Sequence, residues 1–345
     1  MDAKATAMKH SFVQLFGAPS FERAASCQDE VMLALADVEA ASDRITGATR
    51  RTPMWNPTSF KRTPIPVSAE LWLKLELLQA TGSFKARGAV SKARALSPEE
   101  LHRGLITASG GNHGLAVAYV GGLLDVPTTI CLPTNVNPDK VEKLKAYGAR
   151  VVIKGHAWDV SHKNALAIAS AEGLTYIHPF ADPLVAAGQG TIALEILEDV
   201  PRIDTILVAI GGGGLITGIA TAAKAIKPSI RIIGIEPVGA QTLKASLDAG
   251  EVVTLPKIET AAVTLAAGRT EPFNFEAVRR HVDEVVLVSD DDMRKAARWL
   301  WSEFAVAAEM SGSATIAALL NGAVQLRPGE NVCALVCGAG RDGWS

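Results

Sequence analysis

Strand-like apolar segments alternate with helix-like segments along most of this sequence. A helical pattern precedes each of the segments LITAS, TTICLP and ARVVIKG, and the alternation returns in DTILVAI, LITGIATAAKAI, RIIGIEP and NVCALVC. Earlier in the chain, the pattern predicts a helix from Leu35 and a strand over Glu70–Leu78, where Leu or Trp alternates with charged residues. Parallel strands need a crossover, usually a helix, between them. The sequence therefore predicts an α/β fold with largely parallel sheets and helices on both faces.

Composition and charge exclude several classes of protein. A chain of 345 residues is long for one core and suggests two domains. The chain has 34 Lys plus Arg and 36 Asp plus Glu, which gives a net charge of −2. Without an excess of basic residues, neither nucleic acid nor an anionic membrane is an expected partner. The four cysteines, Cys27, Cys131, Cys333 and Cys337, include no CxxC pair, so we expect neither a disulfide framework nor structural zinc. Without a signal-peptide pattern, the expected location is cytoplasmic.

Two uncharged stretches, residues 104–124 and 205–223, are long enough on count alone to span a membrane. Glycines interrupt both, as Ser109-Gly110-Gly111 in the first and Gly211–Gly214 in the second. Each glycine costs a helix interior about 1 kcal/mol relative to alanine, so four in succession argue against a spanning helix. A buried strand, a glycine turn and a buried helix account better for both stretches.

The glycine run is itself a candidate anion site. Glycines allow the backbone to turn sharply, and the following helix presents unpaired N–H groups to an anion. The run is neither a G-x-G-x-x-G dinucleotide fingerprint nor a G-K-[ST] phosphate loop. From the run alone, a phosphate site and a tight core turn remain equal alternatives.

Lys85 follows a Thr-Gly-Ser turn at the start of a predicted helix. Such a lysine is usually a solvated surface residue. Three other predicted strand ends, however, also carry loops rich in Gly, Asn, Ser or Cys, at residues 109–114, 211–214 and 337–340. Ligands of parallel sheets bind at these strand ends. The combination favours a phosphorylated cofactor held covalently by the lysine.

The segment Lys74–Ala89, KLELLQATGSFKARGA, resembles the cofactor-lysine segment of the threonine/serine dehydratase and serine racemase family. These are fold-type II pyridoxal-phosphate (PLP) enzymes, related to the tryptophan synthase β subunit. Six further motifs occur in the family's order, and the resemblance covers about residues 35–340. They are SGGNHG at 109–114, HPF at 178–180, GQGT at 188–191, GGGGL at 211–215, EMSG at 309–312 and CGAG at 337–340.

The resemblance implies a role for each matching residue. Lys85 is expected to bind PLP covalently and then to act as acid and base at the substrate Cα. The cofactor phosphate is expected to be held by the backbone of Gly211, Gly212, Gly213 and Gly214. Asn112 is expected to hydrogen-bond the phenolic oxygen of the ring. Phe84 is expected to lie beside the ring, and Cys337 is expected to face the pyridine nitrogen. The substrate carboxylate is assigned to Ser109, Gly110, Gly111, Asn112 and His113. For two residues a purely structural role is the alternative. His113 would then be a core histidine, and Glu309 would be an ordinary carboxylate at a helix end.

The resemblance also implies an architecture of two open, twisted, largely parallel sheets flanked by helices. A large PLP-binding domain is expected over residues 35–104 and 182–345 and a small mobile domain over 105–181, after an N-terminal extension at 1–34. A homodimer is expected, as is usual in the family.

Two departures from the family limit the resemblance. Many relatives bind a divalent cation through a Glu and an Asp. Here Glu236 is present but Thr242 stands at the position of the second carboxylate, so no tight magnesium site is expected. A monovalent ion held by carbonyl oxygens stays an open alternative. The segment Thr260–Arg269 lacks the usual Ala-Asp-Gly pattern, which bears on the shape of the substrate pocket.

The expected activity is dehydration and deamination of a 3-hydroxy amino acid such as L-threonine, L-serine or phenylserine. An uncharged thiol at Cys337 favours β-elimination over transamination, because it does not keep the ring nitrogen protonated. The alternatives are a serine racemase-type isomerase and a non-catalytic PLP-binding regulatory protein. The racemase pattern has Ser where this chain has Gly110, which disfavours the isomerase. Because the chain stops shortly after Gly340, no effector-sensing domain of biosynthetic threonine deaminases is expected.

Overall fold

The computed structural model describes residues 32–65, 68–134, 136, 138–156 and 158–343. Met32–Ser345 forms one compact unit. Most of the predicted N-terminal extension, and Cys27 with it, lies outside the described residues. Within the described part of the chain, no helix combines the length and apolar character needed to cross a bilayer.

Ten strands and twelve α-helices are described, together with three short 3₁₀ helices. The strands are β1 Met54–Trp55, β2 Glu70–Lys74, β3 Leu105–Ala108, β4 Thr128–Leu132, β5 Arg150–Ile153, β6 Thr175–Tyr176, β7 Thr205–Ala209, β8 Arg231–Pro237, β9 Glu284–Val288 and β10 Asn331–Leu335. The helices are α1 Leu35–Ile45, α2 Lys85–Ala93, α3 Pro98–Arg103, α4 Asn112–Leu124, α5 Pro138–Ala146, α6 Trp158–Glu172, α7 Pro183–Asp199, α8 Gly214–Ile226, α9 Thr242–Ala249, α10 Pro272–His281, α11 Asp290–Phe304 and α12 Ala314–Leu320.

The strands form two sheets, as the sequence predicted. The six-stranded sheet has the order β1-β2-β10-β7-β8-β9, and the four-stranded sheet has the order β5-β4-β3-β6. All pairings are parallel except the one between β1 and β2 at an edge. Helices connect the parallel strands, as such crossovers require. The predicted fold class is confirmed, whereas the movement of residues 105–181 as a separate domain stays a prediction.

Helix α7 packs against both α2 and α8, and glycines allow these helices to approach closely. A Cβ at Gly188 would lie 2.7 Å from the Cα of Gly88, and one at Gly190 would lie 2.8 Å from the carbonyl oxygen of Gly218. A side chain at either position would therefore push the helices apart. The GQGT motif thus fixes the position of α2, the helix that begins with Lys85.

Strand β2 is shorter than the sequence suggested. It ends at Lys74 rather than Leu78, and Glu76–Leu78 forms a 3₁₀ turn. The alternation of apolar and charged residues misled the prediction because two of the charged side chains, Lys74 and Glu76, are fully buried. Their charges are paired inside the protein instead of facing solvent.

A buried network of four charges lies beneath the start of α2. Arg87 donates to Glu76 at 2.8 and 2.9 Å and to Glu195 on α7 at 2.7 and 2.8 Å. Lys74 contacts Glu195 at 2.5 Å and donates to the carbonyl oxygen of Thr52 at 2.7 Å. Burial opposes the charge of Arg87, but the two carboxylates outweigh this effect and raise its pKa. Two positive and two negative groups therefore compensate one another.

Replacing Arg87 by alanine should lower the free energy of unfolding by about 3–5 kcal/mol, because two buried carboxylates lose their partner. Urea unfolding of wild type and variant measures the change. The matched control is Arg150→Ala, which removes an exposed pair with Glu172, with side chains 52% and 44% exposed. That variant should stay within about 1 kcal/mol of wild type. Equal losses in the two variants would contradict the role assigned to the network.

Candidate active site

Four predicted loops lie at the carboxyl ends of parallel strands. Residues 79–84 and 109–111 follow β2 and β3, while 210–213 and 336–340 follow β7 and β10. The ends of β2 and β10 are joined directly, because Ser83 and Gly338 form an isolated bridge and Phe84 N donates to Cys337 O at 3.2 Å. This is the edge at which open parallel sheets bind ligands.

Lys85 is the first residue of α2, and its side chain is half-buried. Its Nζ donates to the carbonyl oxygen of Pro179 at 2.6 Å and lies 5.1 Å from the centre of the Phe84 ring. Burial lowers the pKa of this amine to about 8, against the opposing influence of Cys337 and Glu309. At pH 7 about a tenth of the amine is therefore uncharged, far more than for an ordinary lysine, and this is the form required of a nucleophile or a base.

The turn His178-Pro179-Phe180 connects the lysine to the glycine run. His178 Nδ1 accepts hydrogen bonds from the backbone N–H groups of Phe180 and Ala181, at 3.2 and 2.7 Å. Burial and the nearby His162 and Lys85 lower the pKa of His178 to about 4. The neutral imidazole therefore fixes the turn that presents the Pro179 carbonyl to Lys85.

The glycine run forms a tight cradle at the start of α8. Gly213 has a φ of +102°, which only glycine adopts without strain. A Cβ at Gly212 would overlap the Phe180 ring, and one at Gly214 would lie 2.6 Å from the Phe180 carbonyl oxygen. The Gly212 carbonyl accepts from Thr270 and Asn274 at 3.1 and 3.2 Å. The N–H groups of the first turn of α8 are left for a ligand.

The loop after β3 leads into α4 at Asn112. Asn112 Nδ2 donates to Glu309 Oε1 at 2.8 Å, and Gly111 N donates to Ser109 Oγ at 3.3 Å. His113 turns into the core, where its Nε2 lies 3.0 Å from the Ile177 carbonyl oxygen. Burial lowers the pKa of His113 to about 3, so the ring is neutral. Carboxylate binding by residues 109–113 stays a prediction, and the orientation of His113 leaves only its backbone for that role.

Cys337 lies just beyond the end of β10 and is 3% exposed. Its Sγ is 3.9 Å from the carbonyl oxygen of Ser311. Burial, together with the nearby Glu309, raises the pKa of the thiol. The side chain therefore presents a neutral group to the site.

The pocket residues suit a phosphorylated aldehyde such as PLP. The glycines let the backbone at 212–214 pack directly against Phe180 and Asn274, and the helix N-terminus that follows favours an anion such as a phosphate. Beside Lys85, the buried hydroxyls of Thr81 and Ser83 have no hydrogen-bond partner within the described residues. Such buried polar atoms are normally satisfied, so a polar ligand is expected against them.

Glu236 and Thr242, the two residues considered for a cation site, both form hydrogen bonds within the protein. The carboxylate of Glu236 accepts from the backbone N–H groups of Leu243 and Lys244, both at 2.8 Å, and thereby caps α9. Thr242 donates its hydroxyl to the carbonyl oxygen of Ala267. Both polar side chains are thus engaged within the protein. The prediction that no tight metal site exists remains untested.

Three contributions to the site were missed in the sequence: the Pro179 carbonyl, the side chain of Asn274 and Thr264. Thr264 Oγ1 donates to Glu309 Oε1 at 3.2 Å. The only sequence signal for Thr264 was its place in the segment that departs from the family pattern. A backbone carbonyl leaves no residue-type signal at all.

Comparisons with known proteins find similar sequences over most of the chain. The family model described as "Pyridoxal-phosphate dependent enzyme" matches residues 45–338. The chain is 40% identical to L-threonine ammonia-lyase of Geobacter sulfurreducens over 305 residues, 88% of this chain and 75% of the relative. It is 37% identical to phenylserine dehydratase of Ralstonia pickettii over 296 residues, which cover 85% of this chain and 89% of the relative.

A solved structure gives the same result for the fold. Maize serine racemase superposes with a TM-score of 0.84 and 36% sequence identity, covering 89% of this chain and 93% of that one. The family match, the two relatives and this structure all point to one group of proteins, whose cofactor suits the pocket described above. The chain belongs to the family of pyridoxal-phosphate-dependent enzymes.

Proposed function

We propose that this PLP-dependent enzyme dehydrates and deaminates a 3-hydroxy amino acid, such as L-threonine, L-serine or phenylserine, to a 2-oxo acid and ammonia. The observation that carries the proposal is the position of Lys85, with its depressed pKa, between the glycine cradle and the neutral thiol of Cys337. The relatives named for threonine and phenylserine support this substrate class.

The assignments of residues to the cofactor are part of the proposal, and the contacts among these residues support them. Lys85 would bind PLP covalently, the backbone of Gly211–Gly214 would hold its phosphate, and Phe84, Asn112 and Cys337 would surround its ring. Bound PLP withdraws electrons from the substrate Cα and so makes its proton acidic. The 109–113 loop would hold the substrate carboxylate at the start of α4, where unpaired N–H groups favour an anion.

Lys85 performs the proton transfer in this scheme. Its uncharged amine would take the Cα proton of the bound substrate. The β-hydroxyl would leave as water by taking up one proton, which balances the proton removed from Cα, and the enamine product would hydrolyse to the 2-oxo acid and ammonia. The pKa of about 8 keeps the amine basic enough to accept the proton yet partly uncharged at neutral pH.

The finer expectations from the sequence are part of the same proposal. We propose a cytoplasmic homodimer that acts on a small-molecule amino acid and has no nucleic-acid partner. Residues 105–181, which contain the four-stranded sheet, are proposed to close over the substrate. The net charge of −2 supports the absence of a nucleic-acid partner.

Serine racemase activity is the second candidate, because a serine racemase shares this fold at 36% identity. Racemisation needs a proton-transfer group on each face of Cα, since a single base returns the proton to the face it left. Lys85 serves one face, but Gly110 brings no side chain to the other. Dehydration is therefore the activity that the site favours.

Lys85→Ala should abolish 2-oxo acid formation and the visible absorbance of the PLP-bound protein, because no amine remains to bind the cofactor or move the Cα proton. Assay of 2-oxo acid and an absorbance spectrum check both effects. Lys145→Ala, at an exposed lysine that pairs with the exposed Glu142, is the control and should behave as wild type. Dehydratase activity retained by Lys85→Ala would disprove the assignment.

Cys337→Asp should shift products from 2-oxo acid formation towards racemisation or transamination, because an acidic group facing the ring nitrogen would favour its protonation. Cys337→Ser keeps a neutral side chain and is the matched control. The product ratio, measured by chiral chromatography and 2-oxo acid assay, should move only in the Asp variant. An unchanged ratio would count against Cys337 facing the ring.

Gly110→Ser should gain measurable racemisation of L-serine, while wild type should show little. A Cβ at Gly110 would lie 3.3 Å from the side chains of Leu132 and Val136, tight contacts that flexible side chains can relieve. Gly110→Ala controls for the added bulk and should not racemise. If wild type forms D-serine as fast as 2-oxo acid, the dehydratase proposal fails.

A further inference from the structure

Glu309 joins the two sheets at the site. Its Oε1 accepts from Asn112 Nδ2, on the first residue of α4 beside the four-stranded sheet, at 2.8 Å. The same oxygen accepts from Thr264 Oγ1 at 3.2 Å. Asn112 and Glu309 are 197 residues apart in the chain, so this contact depends entirely on tertiary structure.

The backbone around Glu309 leaves its side chain little freedom. A Cβ at Gly338 would overlap the carboxyl group, and one at Gly340 would lie 2.7 Å from the Cβ of Glu309. Glu309 N also donates to the Gly338 carbonyl at 3.0 Å. Because the residue is 8% exposed, the carboxyl group is held in one place with little access to water.

Charged groups around Glu309 act on it in opposite directions. Asp342 repels a negative charge from the following turn, and Lys140 on α5 attracts it. Lys85 and the Cys337 thiol also interact with it electrostatically. Burial and Asp342 raise the pKa of Glu309 to about 7, although the hydrogen bonds from Asn112 and Thr264 oppose this rise.

We propose that Glu309 is a positioning residue that orients Asn112 towards the cofactor, with Thr264 as the second anchor of its carboxyl group. The inference rests on the proposed PLP chemistry and adds a role for Glu309 and Thr264 that the reaction itself does not require. The carboxyl oxygen accepts the hydrogen bond from Asn112, and burial together with Asp342 favours the protonated, uncharged form of the carboxyl group. Ionisation places a negative charge beside the reacting centre and opposes removal of the Cα proton.

Because Glu309 is protonated in the folded protein, its contribution to the stability of the fold depends on pH. The folded protein keeps the proton up to about pH 7, whereas an unfolded chain releases it near 4.5. The contribution to stability is therefore fully present below pH 4.5 and is lost as the pH rises through 7. A glutamine at this position keeps the acceptor oxygen but cannot ionise.

The test compares Glu309→Gln and Glu309→Leu, with Glu251→Gln, an exposed glutamate, as control. Melting temperature of the cofactor-free protein is measured from pH 5 to 8, and PLP affinity is measured by titration at pH 6. The advantage of wild type over Glu309→Gln in melting temperature should shrink steadily as pH rises. Glu251→Gln should keep the wild-type pH dependence.

PLP affinity at a single pH tests whether Glu309 positions Asn112, separately from any effect of the ionisation of Glu309. At pH 6 Glu309→Gln should bind PLP within about twofold of wild type, and Glu309→Leu should bind it about fivefold or more weakly, the effect of losing one hydrogen bond. Thr264→Val should fall between the two. Ionisation of Glu309 above pH 7 should lower kcat in wild type and in Glu251→Gln, and this loss should be absent from both Glu309→Gln and Glu309→Leu.

Two results would overturn the inference: a Glu309→Gln variant with the wild-type pH dependence of melting and kcat, or a Glu309→Leu variant with wild-type PLP affinity. Failure of the proposed function looks different, since wild-type protein would then bind no PLP or form no 2-oxo acid. The two failures are therefore distinguishable in the same set of measurements.

Discussion

The buried charge of Arg87 is the interaction on which the rest of the site depends. Its guanidinium group holds the carboxylates of Glu76 and Glu195, which come from the turn after β2 and from α7. Removing water from such charges is costly unless every partner is in place. The network therefore fixes the direction in which α2 leaves the sheet. Lys85, two residues before Arg87, takes its position from that direction.

The remaining site groups are positioned through a chain of contacts that begins at Lys85. Its amine meets the Pro179 carbonyl, and the adjacent Phe180 packs on the glycine cradle of α8. Across the site, Asn112 reaches Glu309. Neutral side chains predominate: His113 and His178 have lowered pKa values and Cys337 a raised one, all because of burial. A site of this kind leaves the cofactor to supply the charge that the reaction needs.

Much of this architecture could be predicted from the sequence. Periodicity indicated the parallel sheets, and the motif around Lys85 with the run Gly211–Gly214 indicated the cofactor and its lysine. Local patterns failed where the decisive contact joins distant segments. The end of β2 at Lys74 depends on pairing with Glu195, 121 residues away. The partners of Glu309 and the carbonyl that receives Lys85 likewise have no local signature.

The place of β10 in the six-stranded sheet bears on how the protein acquires its cofactor during synthesis. Strands β2 and β7 do not pair with each other, because β10 lies between them. Since β10 is the last described strand in chain order, a ribosome must translate past Leu335 before the lysine loop and the glycine cradle can be joined in one sheet. Long-range parallel pairing of this kind forms slowly. A ligand that contacts both loops therefore finds its complete site only after β10 has taken its place in the sheet.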